Sequence, residues 1–327
     1  MKKILILIFL TILAVSCKDS AKNAKGGEKI KITVVLDWTP HTNHTGIYVA
    51  KDLGYYEEEG LDVTIIQPGN GTSDQLVASG KAQFGISYQE SVTLARLQDI
   101  PVVSIAAVIQ HNTSGFYAKE DKGIKTPRDF ENKRYGGWGS PIEKATLKAL
   151  MDKDGGDVEK VKIITSGDTD FFASSENSID FAWGFEAWTG MEAKVRNIPV
   201  NYIKLSDYNK NLDYYTPVII TNEKMISQNS DIVKKFMQAT KKGYQYSWEN
   251  PEQAAKILLK SAPELNKDLV MESQKFLAKE YKSDAAYWGE QKPEVWENYM
   301  NWLYDNKLID KKTDILKAFT NDFVKEQ

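Results

Sequence analysis

Between residues 32 and 220 the chain alternates short apolar segments with stretches whose apolar residues recur at helical spacing. Residues 32–36, 84–87 and 102–109 are apolar runs, and residues 61–65 alternate apolar with polar side chains, as strands do. Such an order of strands and helices predicts mostly parallel sheets with helices on their faces, and a central position for the strand at 102–109.

Helix starts are indicated by capping boxes, in which a Ser or Thr stands three positions before a Glu or Gln. The pairs are Thr72 with Gln75, Ser87 with Glu90, and Ser140 with Glu143. In addition, Thr126 and Pro127 have the types preferred at an N-cap and a first helical position.

The strand–helix pattern restarts after residue 113, and residues 161–165, 179–183 and 200–205 supply further strands. Residues 216–220 look like a return strand. The remaining chain reads as helical to its end, with breaks at the prolines.

We therefore predict an α/β lobe 1 from residues 30–113 and 216–327, and an inserted α/β lobe 2 from residues 114–215. Two chain crossings, near Ser114 and Thr216, would act as a hinge. The alternative is two independent doubly wound domains that do not close on a ligand. Length supports two lobes, because single cores stop growing at roughly 250 to 300 residues.

The N-terminus has the pattern of an export signal. Two lysines precede an apolar run at residues 4–15, which is shorter than the roughly 20 residues of a membrane span. We predict a lipoprotein signal peptide at residues 1–17, with lipid attached to Cys17. Ala14 stands where the lipidation motif usually has leucine, so an ordinary cleaved leader stays open. Residues 18–29 are predicted to be a flexible tether.

Composition excludes several classes of function. Cys17 is the only cysteine, so the chain has no intramolecular disulfide and no Cys-based zinc site. The formal net charge is −3, which argues against a nucleic-acid partner. Neither a nucleophile elbow nor a phosphate-binding or dinucleotide-binding motif is present, so no cofactor is predicted, and the chain reads as a binder. We also expect a monomer.

In open α/β sheets, ligands bind where the carboxyl ends of strands meet. The first such loop, residues 37–46, concentrates rare side chains, of which we predict as ligand contacts Asp37, Trp38, Asn43, His44 and Gly46. His41 and His44 suggest a metal, but no further ligands stand at a known metal-binding spacing, and a metal site is not predicted.

Three further loops supply predicted ligand contacts, namely Tyr88, Gln89, Trp138, Ser140, Trp183, Glu186 and Trp188. Aromatic faces can sandwich a flat heterocycle, and a carboxylate can accept its hydrogen bonds. The loop at 136–140 is also expected to offer free N–H groups at a helix start. Glu143 is explained by capping alone.

Four motifs, residues 36–51, 84–90, 136–143 and 181–183, resemble the thiamin-pyrimidine synthase-like family. The resemblance implies a two-lobed, type II periplasmic-binding-protein-like α/β fold with mixed sheets. Bacterial members are lipoproteins of ABC importers that bind a formylated aminopyrimidine, which implies an ABC permease partner and a location outside the cytoplasm.

Fungal members of that family are enzymes that make the pyrimidine phosphate. Their iron-associated cysteine cluster has no counterpart here, which disfavours an enzyme. Residues 184–187, Gly-Phe-Glu-Ala, depart from the family pattern between the two tryptophans, so riboflavin or another flat heterocycle stays open as ligand. A lipid-anchored sensor is a weaker alternative.

Overall fold

The computed structural model describes residues 28–69, 71–167 and 170–325 of the 327-residue chain. The predicted leader, Cys17 and most of the predicted tether lie outside these residues, so those predictions stay predictions. Within the described ranges, no helix combines the length and the apolar character that a membrane span requires.

Strands are numbered β1–β10 in chain order, and two five-stranded sheets contain them. The first sheet comprises β1 (Ile30–Val35), β2 (Leu61–Ile66), β3 (Phe84–Ser87), β4 (Val102–Ala107) and β10 (Val218–Asn222), in the order β2-β1-β3-β10-β4. β1 runs parallel to β2 and β3, whereas β10 runs antiparallel to β3 and β4. The first sheet is therefore mixed.

The second sheet comprises β5 (Ser114–Lys119), β6 (Arg134–Gly137), β7 (Lys162–Thr165), β8 (Phe181–Phe185) and β9 (Val200–Lys204), in the order β7-β6-β8-β5-β9. Here β6 is parallel to β7 and β8, and β5 is antiparallel to β8 and β9. In each sheet the antiparallel pairs involve the strand that follows a passage from the other sheet, β10 in the first and β5 in the second.

The α-helices are likewise numbered in chain order. They are α1 (Thr45–Asp52), α2 (Tyr55–Glu58), α3 (Ser73–Ala78), α4 (Gln89–Leu97), α5 (Pro141–Lys153), α6 (Phe171–Asn177), α7 (Met191–Val195), α8 (Leu205–Tyr208), α9 (Glu223–Gln228), α10 (Ser230–Glu249), α11 (Pro251–Ser261), α12 (Lys267–Glu280) and α13 (Pro293–Asp305). A 3-10 turn at Thr42–His44 and a π-helix at Glu186–Gly190 also matter for function.

Two of the three predicted capping boxes are present, at Thr72 and at Ser140. The third is wrong. α4 begins after Tyr88 with no side-chain cap, and the hydroxyl of Ser87 donates instead to the carboxylate of Asp74 at 2.8 Å. The carboxyl of Glu90 is thereby left for another partner, the hydroxyl of Tyr214, which donates to it at 2.9 Å.

The prediction that β4 is a central strand is also wrong, because β4 ends the order of its sheet. It is nevertheless fully buried, since the C-terminal segment covers its outer edge. The N–H of Ser104 donates to Ala318 O at 2.8 Å, and the N–H of Thr320 donates to Ser104 O at 2.9 Å. Because its outer edge is covered, β4 has the apolar sequence of an interior strand.

The C-terminal part is helical as far as Asp305, with the predicted breaks before Pro251 and Pro293. Beyond Asp305 the prediction of helix is wrong, because residues 306–325 contain only a short 3-10 turn and a bridge to Ser104. The long helix α10 packs on the first sheet, where the ring of Phe236 stacks on Phe84 with centroids 3.8 Å apart.

The chain passes from the first sheet to the second between β4 and β5, and returns between β9 and β10. The two connections run side by side and are hydrogen-bonded. The Asn112 N–H donates to Asp213 Oδ1 at 2.8 Å, and the Asn112 amide donates to Leu212 O at 2.8 Å. The predicted limits of the lobes and the hinge action of these connections stay predictions.

Candidate functional site

Asp37 lies two residues after the end of β1, at the centre of a small hydrogen-bond network. Its Oδ1 lies 2.5 Å from His44 Nε2, and its Oδ2 accepts the hydroxyl of Tyr88 at 2.5 Å. β1 and β3 are parallel neighbours, so Asp37 and Tyr88 leave the same edge of the first sheet. The carboxylate side chain is only 5% exposed.

The position of the proton on the His44 ring follows from the hydrogen bond that its other nitrogen, Nδ1, accepts. Nδ1 accepts the backbone N–H of His41 at 3.2 Å, so the ring proton is on Nε2 and is donated to Asp37. Burial, with a smaller contribution from His41, lowers the pKa of His44 to about 4, against the opposing effect of Asp37. His44 is therefore a neutral donor at physiological pH.

Burial alone would raise the pKa of Asp37, but the neighbouring His44 and His41 outweigh it and hold that pKa well below its usual range. Burial, followed by the charge of Asp37, raises the pKa of Tyr88 well above its ordinary value. The arrangement is thus an ionised carboxylate that accepts hydrogen bonds from two neutral donors.

Asp37, His41 and His44 place one potential metal ligand each within 4.8 Å of one another. The hydrogen bonds argue against a metal there. His41 Nδ1 accepts the N–H of Asn43 at 3.3 Å, as His44 Nδ1 accepts that of His41. Each ring then carries its proton on Nε2, the atom that faces Asp37, and has no lone pair there for an ion.

The loop of the first sheet meets the π-helix of the second sheet through aromatic rings. The ring of His41 lies 6.1 Å from Trp38 and 5.9 Å from Trp188, which belongs to the π-helix. Trp38 is 41% exposed. Two of the predicted binding loops, at residues 37–46 and 183–188, are thus brought together.

Trp138 and Trp183 form a second aromatic pair, with ring centroids 5.3 Å apart. Trp138 is 48% exposed, whereas the indole nitrogen of Trp183 is buried without a hydrogen-bond partner among the described residues. The side-chain oxygen of Asn43 is also buried and unpaired there. A buried polar atom without a partner is costly unless a bound molecule or water satisfies it.

The expectation of free N–H groups in the loop before α5 is wrong. The carboxylate of Glu143 accepts the N–H groups of Trp138, Gly139 and Ser140 at 3.0, 2.7 and 2.7 Å, and the hydroxyl of Tyr135 at 2.7 Å. Ser140 Oγ in turn accepts the N–H of Ile142 at 3.3 Å. An acidic residue of the chain itself therefore occupies the position that an anionic ligand would take.

Glu186 begins the π-helix and is half-buried. Burial raises the pKa of its carboxyl, Lys204 lowers it, and Glu280 and Asp207 raise it further. Its backbone N–H donates to Thr113 O at 2.9 Å, which ties the π-helix to the first connection between the sheets. The side chain itself makes no hydrogen bond or ion pair within the ranges that the structure describes.

Two predicted contacts have structural explanations. A Cβ on Gly46 would lie 2.3 Å from the ring of Tyr244, so close packing of α1 on α10 requires glycine. Gln89 is fully buried; its Nε2 donates to Val295 O at 3.2 Å, and its Oε1 accepts the Tyr215 N–H at 2.9 Å. For both residues, contact with a ligand stays a prediction.

Sequence reasoning missed the residues that hold the first loop from behind. Tyr244 donates its hydroxyl to Asn43 O at 2.6 Å, and Tyr281 donates to Thr42 O at 2.8 Å. Ser273, on α12, contacts both the loop and the π-helix. Tyr244 and Ser273 lie in helices and Tyr281 is the C-cap of α12, and the sequences of these helices carry only an amphipathic pattern, which does not mark buried hydroxyl groups.

A family model described as NMT1/THI5 like matches residues 41–254. The formylaminopyrimidine-binding protein of Halalkalibacterium halodurans is 31% identical to the chain over 98% of both proteins. A 4-amino-5-hydroxymethyl-2-methylpyrimidine phosphate synthase of Legionella pneumophila is 24% identical and is matched over 90% of this chain and 93% of its own.

The riboflavin-binding protein RibY of Chloroflexus aurantiacus is 25% identical, over 90% of this chain and 86% of its own. Among solved structures, the periplasmic aliphatic sulphonate binding protein SsuA of Escherichia coli superposes with a TM-score of 0.69 at 14% identity, over 88% of this chain and 97% of its own. That likeness shows the fold, which is the two-lobed α/β fold of periplasmic binding proteins with mixed sheets, as predicted.

Proposed function

Because the chain belongs to the NMT1/THI5-like family, we propose that it is an extracytoplasmic solute-binding protein that captures a thiamin-precursor aminopyrimidine for an ABC importer. The ligand would be formylaminopyrimidine or a close analogue. It would lie between the loop at residues 37–46 and the π-helix Glu186–Gly190.

The observation that carries this proposal is the meeting of that loop and the π-helix, one from each sheet. Trp38 and Trp188 offer aromatic faces to a flat ring, and the Glu186 carboxyl has no hydrogen-bond partner of its own among the described residues. A planar ring with an exocyclic amine can stack on the tryptophans and donate a hydrogen bond to the Glu186 carboxyl. Asn43 Oδ1 offers a further unpaired acceptor.

We retain the predicted contacts as the proposed site, with different roles. Asp37, His44 and Tyr88 saturate one another's hydrogen bonds, so they shape the pocket more than they contact the ligand. The residues proposed to touch the ligand are Trp38, Asn43, Trp138, Ser140, Trp183, Glu186 and Trp188.

We also propose that the protein is not an enzyme, although several of its relatives are named as synthases. The family's enzyme branch is associated with an iron-binding cysteine cluster, and Cys17 is the only cysteine here. In this chain the polar side chains around Asp37 are occupied by one another. That arrangement favours holding a ligand over transforming it.

We further propose that Cys17 carries the lipid anchor and that lobe closure on the ligand presents the protein to a membrane permease. The support is the export-type leader at residues 1–17 and the fold shared with a ligand-binding component of an ABC-type import system. A monomer is sufficient for this role, because the site is assembled within one chain.

A thermal-shift screen tests the proposed ligand on the chain from residue 18, which contains every residue that the structure describes. A ligand at a hundredfold excess over its Kd stabilises the folded state by about 2.7 kcal/mol. Formylaminopyrimidine is expected to raise the Tm, whereas pyridoxal phosphate and purines are not. A shift with pyridoxal phosphate alone would contradict the proposal and favour the enzyme.

Riboflavin is the second candidate ligand, because a riboflavin-binding relative matches 90% of the chain and residues 184–187 depart from the pattern of the pyrimidine binders. Competition separates the two ligands. If riboflavin raises the Tm and formylaminopyrimidine does not, the ligand assignment moves to flavins while the binding role stands.

A further inference from the structure

The π-helix Glu186–Gly190 is held by a residue from the C-terminal helices. Ser273 lies on α12, and its hydroxyl donates to the carbonyl oxygen of Ala187, in the π-helix. Ala187 stands between Glu186 and Trp188, the two side chains of this helix proposed to touch the ligand. π-helices are rare overall, but those that occur are frequently found at functional sites.

The hydroxyl of Ser273 also lies 2.6 Å from the hydroxyl of Thr42. A hydroxyl has one proton, and that of Ser273 is given to Ala187, so Thr42 must be the donor in this second bond. The result is a relay that runs from the Thr42 hydroxyl through the Ser273 hydroxyl to the Ala187 carbonyl.

All three members of this relay are buried: Thr42 is 1% exposed, Ser273 is 0% exposed and Ala187 is 5% exposed. Removing one partner of a buried hydrogen bond costs more stability than removing one of an exposed bond, because the remaining group stays unsatisfied. Both ends of the relay are next to proposed ligand contacts, Asn43 after Thr42 and Trp188 after Ala187.

An ion pair joins α12 to α7, the helix that directly follows the π-helix. Lys194 Nζ lies 2.7 Å from Glu272 Oε2, but the lysine side chain is 64% exposed and that of the glutamate 30%. Solvent-exposed pairs of this kind contribute little to stability. The buried hydroxyl relay is therefore the stronger specific polar contact between α12 and the elements of the second sheet.

We propose that Ser273 is a positioning residue that joins the two halves of the binding site. The bond from Ser273 to Ala187 aligns the π-helix with the loop at residues 37–46, and it forms only when the two sheets are brought together, whereas the bond from Thr42 to Ser273 lies within predicted lobe 1. In a separated form, the Ala187 carbonyl would be hydrated, so loss of the Ser273 hydroxyl weakens the closed form selectively. This role in ligand binding rests on the proposed function, but the effect on closure does not.

Single-molecule energy transfer measures closure directly. The chain from residue 18 has no cysteine, so two cysteines can be introduced at exposed lysines, Lys153 on α5 and Lys234 on α10. The ligand-free protein is compared with its Ser273→Ala variant. Ser247→Ala is the matched control, because Ser247 is equally buried but donates only within its own helix, to Gly243 O at 2.7 Å.

We expect Ser273→Ala to raise the ratio of open to closed molecules about five-fold, as for the loss of one buried hydrogen bond, and Ser273→Thr to restore it. Ser247→Ala is expected to leave the ratio unchanged. Equal distributions in wild type and Ser273→Ala would overturn the proposal. If that variant does not fold, Thr42→Val, which removes only the outer donor, is tested against Thr42→Ser in the same way.

The ligand gives an independent reading. With formylaminopyrimidine as the probe, Ser273→Ala is expected to bind about five-fold more weakly while Ser247→Ala binds as wild type. If wild type binds no probe, the proposed function fails and the energy-transfer result still decides the role of Ser273. Equal affinity together with an altered Tm would make Ser273 a structural residue only.

Discussion

The hydroxyl of Tyr88, at the end of β3, donates to the carboxylate of Asp37, at the end of β1, at 2.5 Å. The bond joins two neighbouring parallel strands at the edge where ligands bind in α/β sheets. Together with the donor His44, it holds the Asp37 carboxylate in one orientation, while His44 and His41 keep the pKa of Asp37 low against the effect of burial. The carboxylate therefore organises the first loop before any ligand arrives.

Replacement of Tyr88 by Phe removes one of the two donors to Asp37. We expect the free energy of unfolding to fall by about 1 to 3 kcal/mol, because a buried carboxylate loses a hydrogen bond. Urea unfolding of the variant at pH 7 measures this. Tyr304→Phe, at a tyrosine that is 43% exposed, is the control and should change stability little. Unchanged stability in Tyr88→Phe would mean that the bond contributes nothing.

His111 predicts a pH dependence above neutrality. Its hydrogen bond to Asp213 at 2.9 Å, opposed by burial and supported by Asp284, raises the pKa of His111 from 6.5 to about 9. A raised folded-state pKa gives stability that is fully present below pH 6.5 and is lost as pH rises to 9.

His111→Gln should therefore be less stable than wild type at pH 6, and the difference should shrink by pH 9.5. Urea unfolding at the two pH values checks this. A difference of the same size at both pH values would show that the charge of His111 has no part in it.

His44 predicts the opposite dependence. Its folded-state pKa of about 4 lies below the ordinary 6.5, so its contribution is complete above pH 6.5 and is lost as pH falls towards 4. We expect His44→Gln to show a smaller fall in stability than wild type between pH 6.5 and pH 4. Parallel curves for the two proteins over this range would place the acid sensitivity elsewhere.

The packing of α1 on α10 predicts a strong effect at Gly46. An alanine Cβ would lie 2.3 Å from the Tyr244 ring, and overpacking of this kind typically costs about 1 to 3 kcal/mol. Gly71→Ala is the matched control, since its nearest neighbour would be a flexible Gln75 oxygen at 3.4 Å. Thermal unfolding of both variants should show a lowered Tm for Gly46→Ala alone.

The sequence predicted the fold well because strand and helix patterns are local. β3 has the predicted bounds, and the alternation in β2 is the burial pattern that the structure shows. It failed at β4, where the covering segment arrives from residues more than 200 positions away. The prediction also failed at Ser87, whose hydroxyl donates to the Asp74 carboxylate and does not cap α4.

For the site, the structure brings two of the predicted loops together, as the contact of His41 with Trp188 shows, and their role in ligand binding stays a prediction. The role of each residue in these segments could not be predicted from the sequence. No local pattern shows that Glu143 fills its own loop, or that Ser273 reaches the π-helix from the far end of the chain. Such contacts depend on the tertiary arrangement of segments, and single serines in helices are common.

Glu186→Gln separates ligand contact from framework. If Glu186 accepts a hydrogen bond from the exocyclic amine, the glutamine variant should bind formylaminopyrimidine more weakly by about 1 to 3 kcal/mol. Its stability should be nearly unchanged, because the carboxyl is half-buried and makes no hydrogen bond or ion pair among the described residues. Unchanged affinity would remove Glu186 from the proposed site.

The most direct test is calorimetric titration of the chain from residue 18 with formylaminopyrimidine, followed by mass spectrometry of the recovered ligand. The account predicts saturable binding of one molecule per chain, with the ligand recovered unaltered. Absence of binding heat together with absence of a thermal shift, or recovery of a chemically altered ligand, would contradict it.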